Sequence, residues 1–535
     1  MNTILSPARV IPVLSLATIL TIGCTNEVEP TAPSPTNKTS PVEQTAPPSE
    51  PPADVRQPSK PLAEYWSAVM QQGRKIGNSH EVVRCVHQAG RILIETVSVE
   101  EIAIRRQEQT IEMRVVNRFL ETSEAELVSY ETKIEQGTNI SSFTGQVSPD
   151  GNRLAITTTA AGRSATAPIP WQPQWGGVYA ASQALKNPPI EPGQTRTATA
   201  LVPTINQACQ IQYVAGKREP VRLLDGGEVE LLKVTNLISQ GGQPLMEIEM
   251  WVDQEGNAVK LRPPGPDLTV YRCTPEFAHS PIESIEFDLA AETIVPLEQP
   301  LTGVHADQTS AEYLITWKKR ISPRLFPTGG GQWTADVQDD SLHLHCVALR
   351  PDVELPPQLA KQTPPTDADL AASSLVQVDD PAIRELADQI APGDRDRWQL
   401  AVEIERQVHE LIEQKDFSQA FASAADVARS RTGDCTEHAV LLIALLRAHD
   451  IPARAAVGLV YYDGRSGRGF AYHMWTEAWI NDRWIPLDAT LGLGGIGTGH
   501  IKIADSDLAG GGAFAAFLPV TQVIGNIEIK PLASE

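Results

Sequence analysis

One thiol in this 535-residue chain stands where a nucleophile can be made. Cys435 follows Gly433-Asp434 in "TGDCTEHAVLLIALLRAHDIPAR" (432–454). Asp434 can cap a helix there, and Glu437, three residues on, supplies the second half of a capping box. Cys435 then falls in the first turn, where unpaired N–H groups and the positive end of the macrodipole stabilise an anion. Those conditions favour thiolate, and the Cys435 N–H can face an oxyanion. Ala439, Leu442, Ile443 and Leu446 read as one buried stripe of that helix.

A nucleophilic thiol needs a base and an orienting partner. "FAYHMWTEAWINDRWIPLDAT" (470–490) offers both. Its first half alternates, so His473, Trp475, Glu477 and Trp479 share one strand face. Asn481-Asp482 reads as a turn. With an even loop centred there, His473 faces Thr490, and Asp488 is a diagonal neighbour on the same face, about 7–8 Å away by Cα. An odd loop would send Asp488 to the other face. The expected geometry packs the start of the Cys435 helix against that face. It puts the sulfur about 3–4 Å from one ring nitrogen of His473, and an Asp488 oxygen about 2.6–3.2 Å from the other. Cys435 is expected in its reduced form.

Three pieces, "TGDCTEHAVLLIALLRAHDIPARAAVGLVY", "YHMWTEAWI" and "RWIPLDAT", together resemble the transglutaminase-like superfamily of papain-type cysteine enzymes. The resemblance covers roughly 380–500. It implies Cys435 as nucleophile, His473 as general base and acid, and Asp488 as the orienting carboxylate. It implies thiol-dependent acyl transfer on amide bonds, with a cysteine protease or amidase as the first expectation. A protein-crosslinking transglutaminase uses the same machinery, and a non-catalytic binding or scaffold protein is the remaining alternative. By resemblance to the animal enzymes Trp398 is a candidate second oxyanion donor, although it also fits the buried stripe of its own helix. Trp475 and Trp479 are expected to pack beside the site.

No cofactor or metal is expected. "GLGGIG" (492–497) satisfies G-x-G-x-x-G, but "TGHIKIADSD" after it is not a helix, so phosphate cradling fails. "HLHC" puts His343 and His345 on one strand face and Cys346 on the other, which gathers no ligand set. No EF-hand-like loop is present, so the calcium dependence of the animal enzymes does not carry over.

The surrounding chain sets the context. Its length predicts two to four domains. A net charge of −22 without a long basic run argues against a nucleic-acid partner. Arg9, the apolar "VIPVLSLATIL" and "LTIGC" read as an export signal over 1–24. Its end resembles the lipobox of bacterial lipoproteins, which implies lipidation of Cys24. Residues 25–60 are a Pro-rich tether that cannot bury a core. The expected location is the bacterial cell envelope, lipid-anchored and facing the periplasm or exterior, with a protein or peptide substrate there. Period-two alternation predicts an antiparallel β domain over 61–278, open to a half-barrel form, and a small β domain over 281–350. A linker at 351–369 leads to the transglutaminase-like domain at 370–535, and the fold class is α+β. Cys85, Cys209, Cys273 and Cys346 are expected to pair outside the cytoplasm, in one of three ways.

Overall fold

The computed structural model describes residues 60–532 apart from 89, 107–108, 137–138, 161, 204, 265–266, 283–293, 391, 413–421, 465–466 and 510–517. The leader, Cys24 and the tether up to 59 lie outside the described residues.

Fourteen strands, β1 (Ala63–Gln71) to β14 (Leu268–Cys273), form one antiparallel sheet. Each strand but one pair of edges bonds to its chain neighbour, as short turns between alternating segments dictate. The long-range seam is β1 against β14, with Trp66 opposite Cys273 and Val69 opposite Val270. The edges are β8 (Arg163–Pro170) and β9 (Thr195–Val202). The helix Val178–Lys186 in the connection between them packs Val178, Ala181 and Leu185 into the sheet's core. Glu121 serves the start of that helix, accepting the N–H groups of Gly177, Tyr179 and Ala180 at 2.8, 2.8 and 3.0 Å.

The expected cysteine pairing does not form: no disulfide joins Cys85, Cys209, Cys273 and Cys346. Cys209 and Cys346 belong to separate apolar cores, so their sulfurs pack as small hydrophobes.

A second sheet runs β15 (Val295–Pro296), β20 (Gly467–Ile480), β19 (Ala453–Gly464), β22 (His500–Ser506), with β21 (Arg483–Leu487) also on β20. A third runs β17 (Gln332–Ala335), β18 (Ser341–Val347), β16 (Ser310–Trp317), β23 (Ile527–Leu532). One apolar core extends from Val295 to Ile529. The segment 281–350 therefore does not stand alone: it lends a strand to the second sheet and takes one from far along the chain. Periodicity reports strands but not distant partners. The stretch 351–369 is likewise no free linker. Leu359 is buried, Gln362 Oε1 accepts the Trp484 N–H at 2.8 Å, and the Thr363 carbonyl accepts the Trp484 indole N–H at 2.9 Å. It straps the β20–β21 hairpin.

The helix Cys435–Ala448 is buried through Arg447 on all sides, not along one stripe. Helices Pro381–Gln389, Arg397–Leu411 and Ala424–Ser430 lie against it on one side and β19 and β20 on the other. Thr476 Oγ1 donates to the Ala439 carbonyl at 3.3 Å. Thr476 and His473 point to opposite faces of β20, so the helix body crosses the face opposite His473. The apolar side chains Met474 and Ala478 share the helix's core, while the His473 face carries the polar groups. Among the described residues no helix is long and apolar enough to cross a membrane.

Candidate active site

The β20–β21 hairpin turns at Asn481 and Asp482, whose φ angles are +49° and +58°. Two residues at positive φ make the tight turn that matches strand twist. The register follows: Ile480 opposite Arg483, Ala478 opposite Ile485, Thr476 opposite Leu487. This even loop delivers Asp488 to the side of β20 that bears His473. His473 Nε2 lies 2.7 Å from Asp488 Oδ2, and each residue is 1% exposed.

A residue that sequence reasoning missed completes the cluster. His500 Nε2 donates to the same Asp488 Oδ2 at 3.0 Å. Asp488 Oδ1 accepts the Thr490 N–H at 2.9 Å, and the Asp488 N–H donates to Glu405 Oε1 at 2.8 Å. On β19, Gly458 stands opposite His473 on one side and Lys502 on the other, and Val460 stands opposite His500. A Cβ at Gly458 would collide with the Ile501 carbonyl oxygen, so only glycine lets β22 come this close. Trp475 sits beside both histidines, its ring 6.2 Å from His473 and 5.1 Å, edge-on, from His500. Trp479 instead packs edge-on against Trp484 in the hairpin.

Burial alone would raise the Asp488 carboxyl, but the charges and hydrogen bonds of His473 and His500 outweigh it and hold Asp488 well below the usual range. Burial pushes His500 down, against the pull of Asp488. Glu405, on the helix Arg397–Leu411, is raised to about 7 by burial, although backbone N–H groups oppose it. One of these is the Gly495 N–H, 3.2 Å from Glu405 Oε2. The glycine loop 492–497, with positive φ at Gly492, Gly494 and Gly495, thus turns toward an internal carboxylate, not a phosphate.

The ligand atoms of His473, Asp488 and His500 lie within 4.8 Å of one another, a set able to hold a metal ion. Doing so would cost both imidazole–carboxylate hydrogen bonds. The "HLHC" stretch is not gathered: His343 Nδ1 pairs with Glu312 Oε1 at 2.6 Å, His345 stacks on Trp333, and Cys346 is buried in the core.

Cys435 is the first residue of its helix and is buried. The capping box is present: Asp434 Oδ1 accepts the Thr436 N–H at 2.9 Å, and Glu437 Oε2 accepts the Asp434 N–H at 3.0 Å. Glu437 Oε1 takes the Ala422 N–H at 3.0 Å, so Glu437 is a structural anchor. Burial, then the charges of Asp434 and Glu437, push the Tyr472 phenol up, which sets the helix start near the neighbour of His473. His438 is pushed down to about 4 by burial, partly opposed by Asp434 and Asp488. The first turn of the helix therefore lies within electrostatic range of Asp488. A cysteine acts as a nucleophile only as the reduced thiolate. Trp398 is half-buried against the core, with the Arg350 guanidinium 6.0 Å from its ring.

Residues 384–489 match the family model of the transglutaminase-like superfamily. A transglutaminase-like domain therefore holds Cys435, His473 and Asp488, and His500 lies beyond the matched span. Among solved structures, a candidate cysteine protease from Cytophaga hutchinsonii is 19% identical, covering 43% of this chain and 83% of its own, with a TM-score of 0.26. A β-barrel-like protein of unknown function from Brucella abortus is 9% identical, covering 39% and 92%, with a TM-score of 0.28. A candidate protease from Parabacteroides distasonis is 10% identical, covering 68% and 64%, with a TM-score of 0.17. No curated protein matches the chain.

Proposed function

We propose that this chain is a thiol-dependent acyl-transfer enzyme acting on amide bonds, a cysteine protease or amidase of the cell envelope. The observation that carries the reading is the buried His473–Asp488 pair, beside the capped start of the Cys435 helix, inside a transglutaminase-like domain.

In the reaction, reduced Cys435 gives its proton to His473 Nδ1, the nitrogen not turned to Asp488. The thiolate attacks the amide carbonyl, and the Cys435 N–H donates a hydrogen bond to the developing oxyanion. The C–N bond breaks as His473 returns the proton to the leaving amine, and a thioester remains. Water then adds, giving its proton to His473. The C–S bond breaks, and the carboxylic acid leaves as the thiol is restored. Asp488 stays ionised throughout and holds the imidazole. An amine in place of water would make the same site a crosslinking enzyme. The leader ending in Gly23-Cys24 supports an envelope location, with the chain anchored through Cys24 and meeting protein or peptide substrates there.

The test is turnover of a peptide library by the reduced full chain. Cleavage should require a reductant, vanish in Cys435→Ala, and be blocked by alkylation mapped to Cys435. Equal cleavage by wild type and Cys435→Ala, or a Cys435 inert to iodoacetamide after reduction, would leave the scaffold reading in its place. Adding a primary amine separates hydrolysis from transamidation through the product formed.

A further inference from the structure

We infer that His500 is a positioning residue for this reaction: its Nε2–H pins the Asp488 carboxylate so that His473 is held toward the thiol. The inference rests on the acyl-transfer reading above.

The oxygen inventory of Asp488 is the starting point. Oδ2 takes two imidazole N–H groups, from His473 at 2.7 Å and His500 at 3.0 Å, and Oδ1 takes the Thr490 N–H at 2.9 Å. With His473 and Thr490 alone, the carboxylate could still tilt about its Cβ–Cγ bond. A second imidazole on Oδ2, arriving from a different strand, fixes the plane. His500 Nδ1 is buried without a hydrogen-bond partner among the described residues. A neutral imidazole carries one N–H, and among the described residues the acceptor it meets is Asp488, so the proton sits on Nε2.

A purely packing role fits poorly. His500 is 4% exposed, and an unpaired buried nitrogen costs free energy that an aliphatic side chain would not. The backbone is also shaped for this contact. Gly458 lets β22 approach β19 where a Cβ would strike Ile501. The glycine loop before it is held by Glu405, which also takes the Asp488 N–H. The anchor of the loop that leads into His500 is thus the anchor of Asp488.

The chemical consequence concerns the imidazolium step. When His473 carries two protons, Asp488 must remain ionised and in line. A second N–H on Oδ2 lowers the carboxylate's appetite for the His473 proton and keeps its geometry.

The experiment uses the reduced full chain with His500→Leu, which fills space without a donor, and His500→Gln, whose amide can replace Nε2–H. His473→Ala is the reference for a dead base. Expected are a loss in kcat of about 30-fold for His500→Leu with KM within about twofold, and recovery to within about fivefold of wild type in His500→Gln. The ¹⁵N shifts of His500 should show the Nε2–H tautomer. His500→Leu with wild-type kcat, or His500→Gln no better than His500→Leu at equal thermal stability, overturns the inference while the reading stands. The Nδ1–H tautomer overturns it too. A wild type without Cys435-dependent turnover overturns the reading and the inference together.

Discussion

Two carboxylates, one in each half of the molecule, are buried in opposite ways. On the β2 strand (Arg74–Gln88) of the fourteen-stranded sheet, Glu81 is 1% exposed, and neither oxygen has a hydrogen-bond partner among the described residues. Burial holds its pKa well above the usual range, so it stays neutral. Asp488 is buried as deeply, receives three N–H groups and stays ionised. Depth is therefore not what sets the charge, and neither is the number of backbone N–H groups, since Glu121 receives three and is still raised; the two imidazoles aimed at Asp488 make the difference. The sheet assembles almost wholly from neighbouring hairpins, and at Glu81 they bring no donor among the described residues. The C-terminal half converges β20, β22, the turn at 490 and the helix Arg397–Leu411 on one carboxylate. Lys502, Arg454 and Glu477 follow the same rule nearby, with Lys502 Nζ 2.7 Å and Arg454 Nε 2.8 Å from Glu477 Oε2.

The contrast can be broken most severely at Asp488. Asp488→Asn keeps the shape and removes the charge, and kcat should fall about 10³-fold. A loss below tenfold in turnover assays would show that the ionised state does not set His473.

Next in size, Lys502→Met leaves Glu477 buried with Arg454 as its remaining cation and should cost about 4 kcal/mol in urea unfolding. A cost under about 1 kcal/mol would mean the pair contributes no more than a surface one.

A smaller effect depends on pH. Glu405 and Glu121 are both raised to about 7 by burial. A raised carboxyl favours the folded state fully below its unfolded value near 4.5 and loses that contribution as pH climbs through 7. Wild-type stability should fall between pH 5 and 8, and Glu405→Gln should remove part of that fall, on the order of 2 kcal/mol. Parallel pH–stability curves for the two proteins would refute the assignment to Glu405.

The smallest change is expected at Glu81. Already neutral, it should tolerate Glu81→Gln within about 0.5 kcal/mol from pH 5 to 7. A large loss in chemical denaturation would show that its charge is used after all, and the comparison between the halves would collapse.

Local features were readable in the sequence. Alternation and Asn481-Asp482 fix the register that brings His473 to Asp488, and Asp434 with Glu437 announces the capped start of the Cys435 helix. What stayed hidden depends on contacts between distant segments. His500 follows a glycine run whose pattern suggests phosphate binding; nothing local says that its loop is held by Glu405. Glu405 itself looks like one more charge on an amphipathic helix. The strap at 351–369 reads as a linker because its partners, Trp484 above all, lie more than a hundred positions away. The all-round burial of the Cys435 helix is invisible for the same reason: a stripe predicts one neighbour, and the fold supplies several.

The pairing of β16 with β23 has a consequence for how this protein comes into being. Trp317 meets Ile527 across that ladder. On a ribosome or a secretion channel, chain emerges in order, so β16 must wait while the helices and the β20–β21 hairpin appear. Until Ile527–Leu532 arrives, one edge of β16 offers bare N–H and C=O groups, the template on which stray strands aggregate. Loop closure over such a separation is slow relative to hairpin formation. The fourteen-stranded sheet needs no such wait beyond its own β14. The interval between those two moments is when a holding chaperone would have the most to protect.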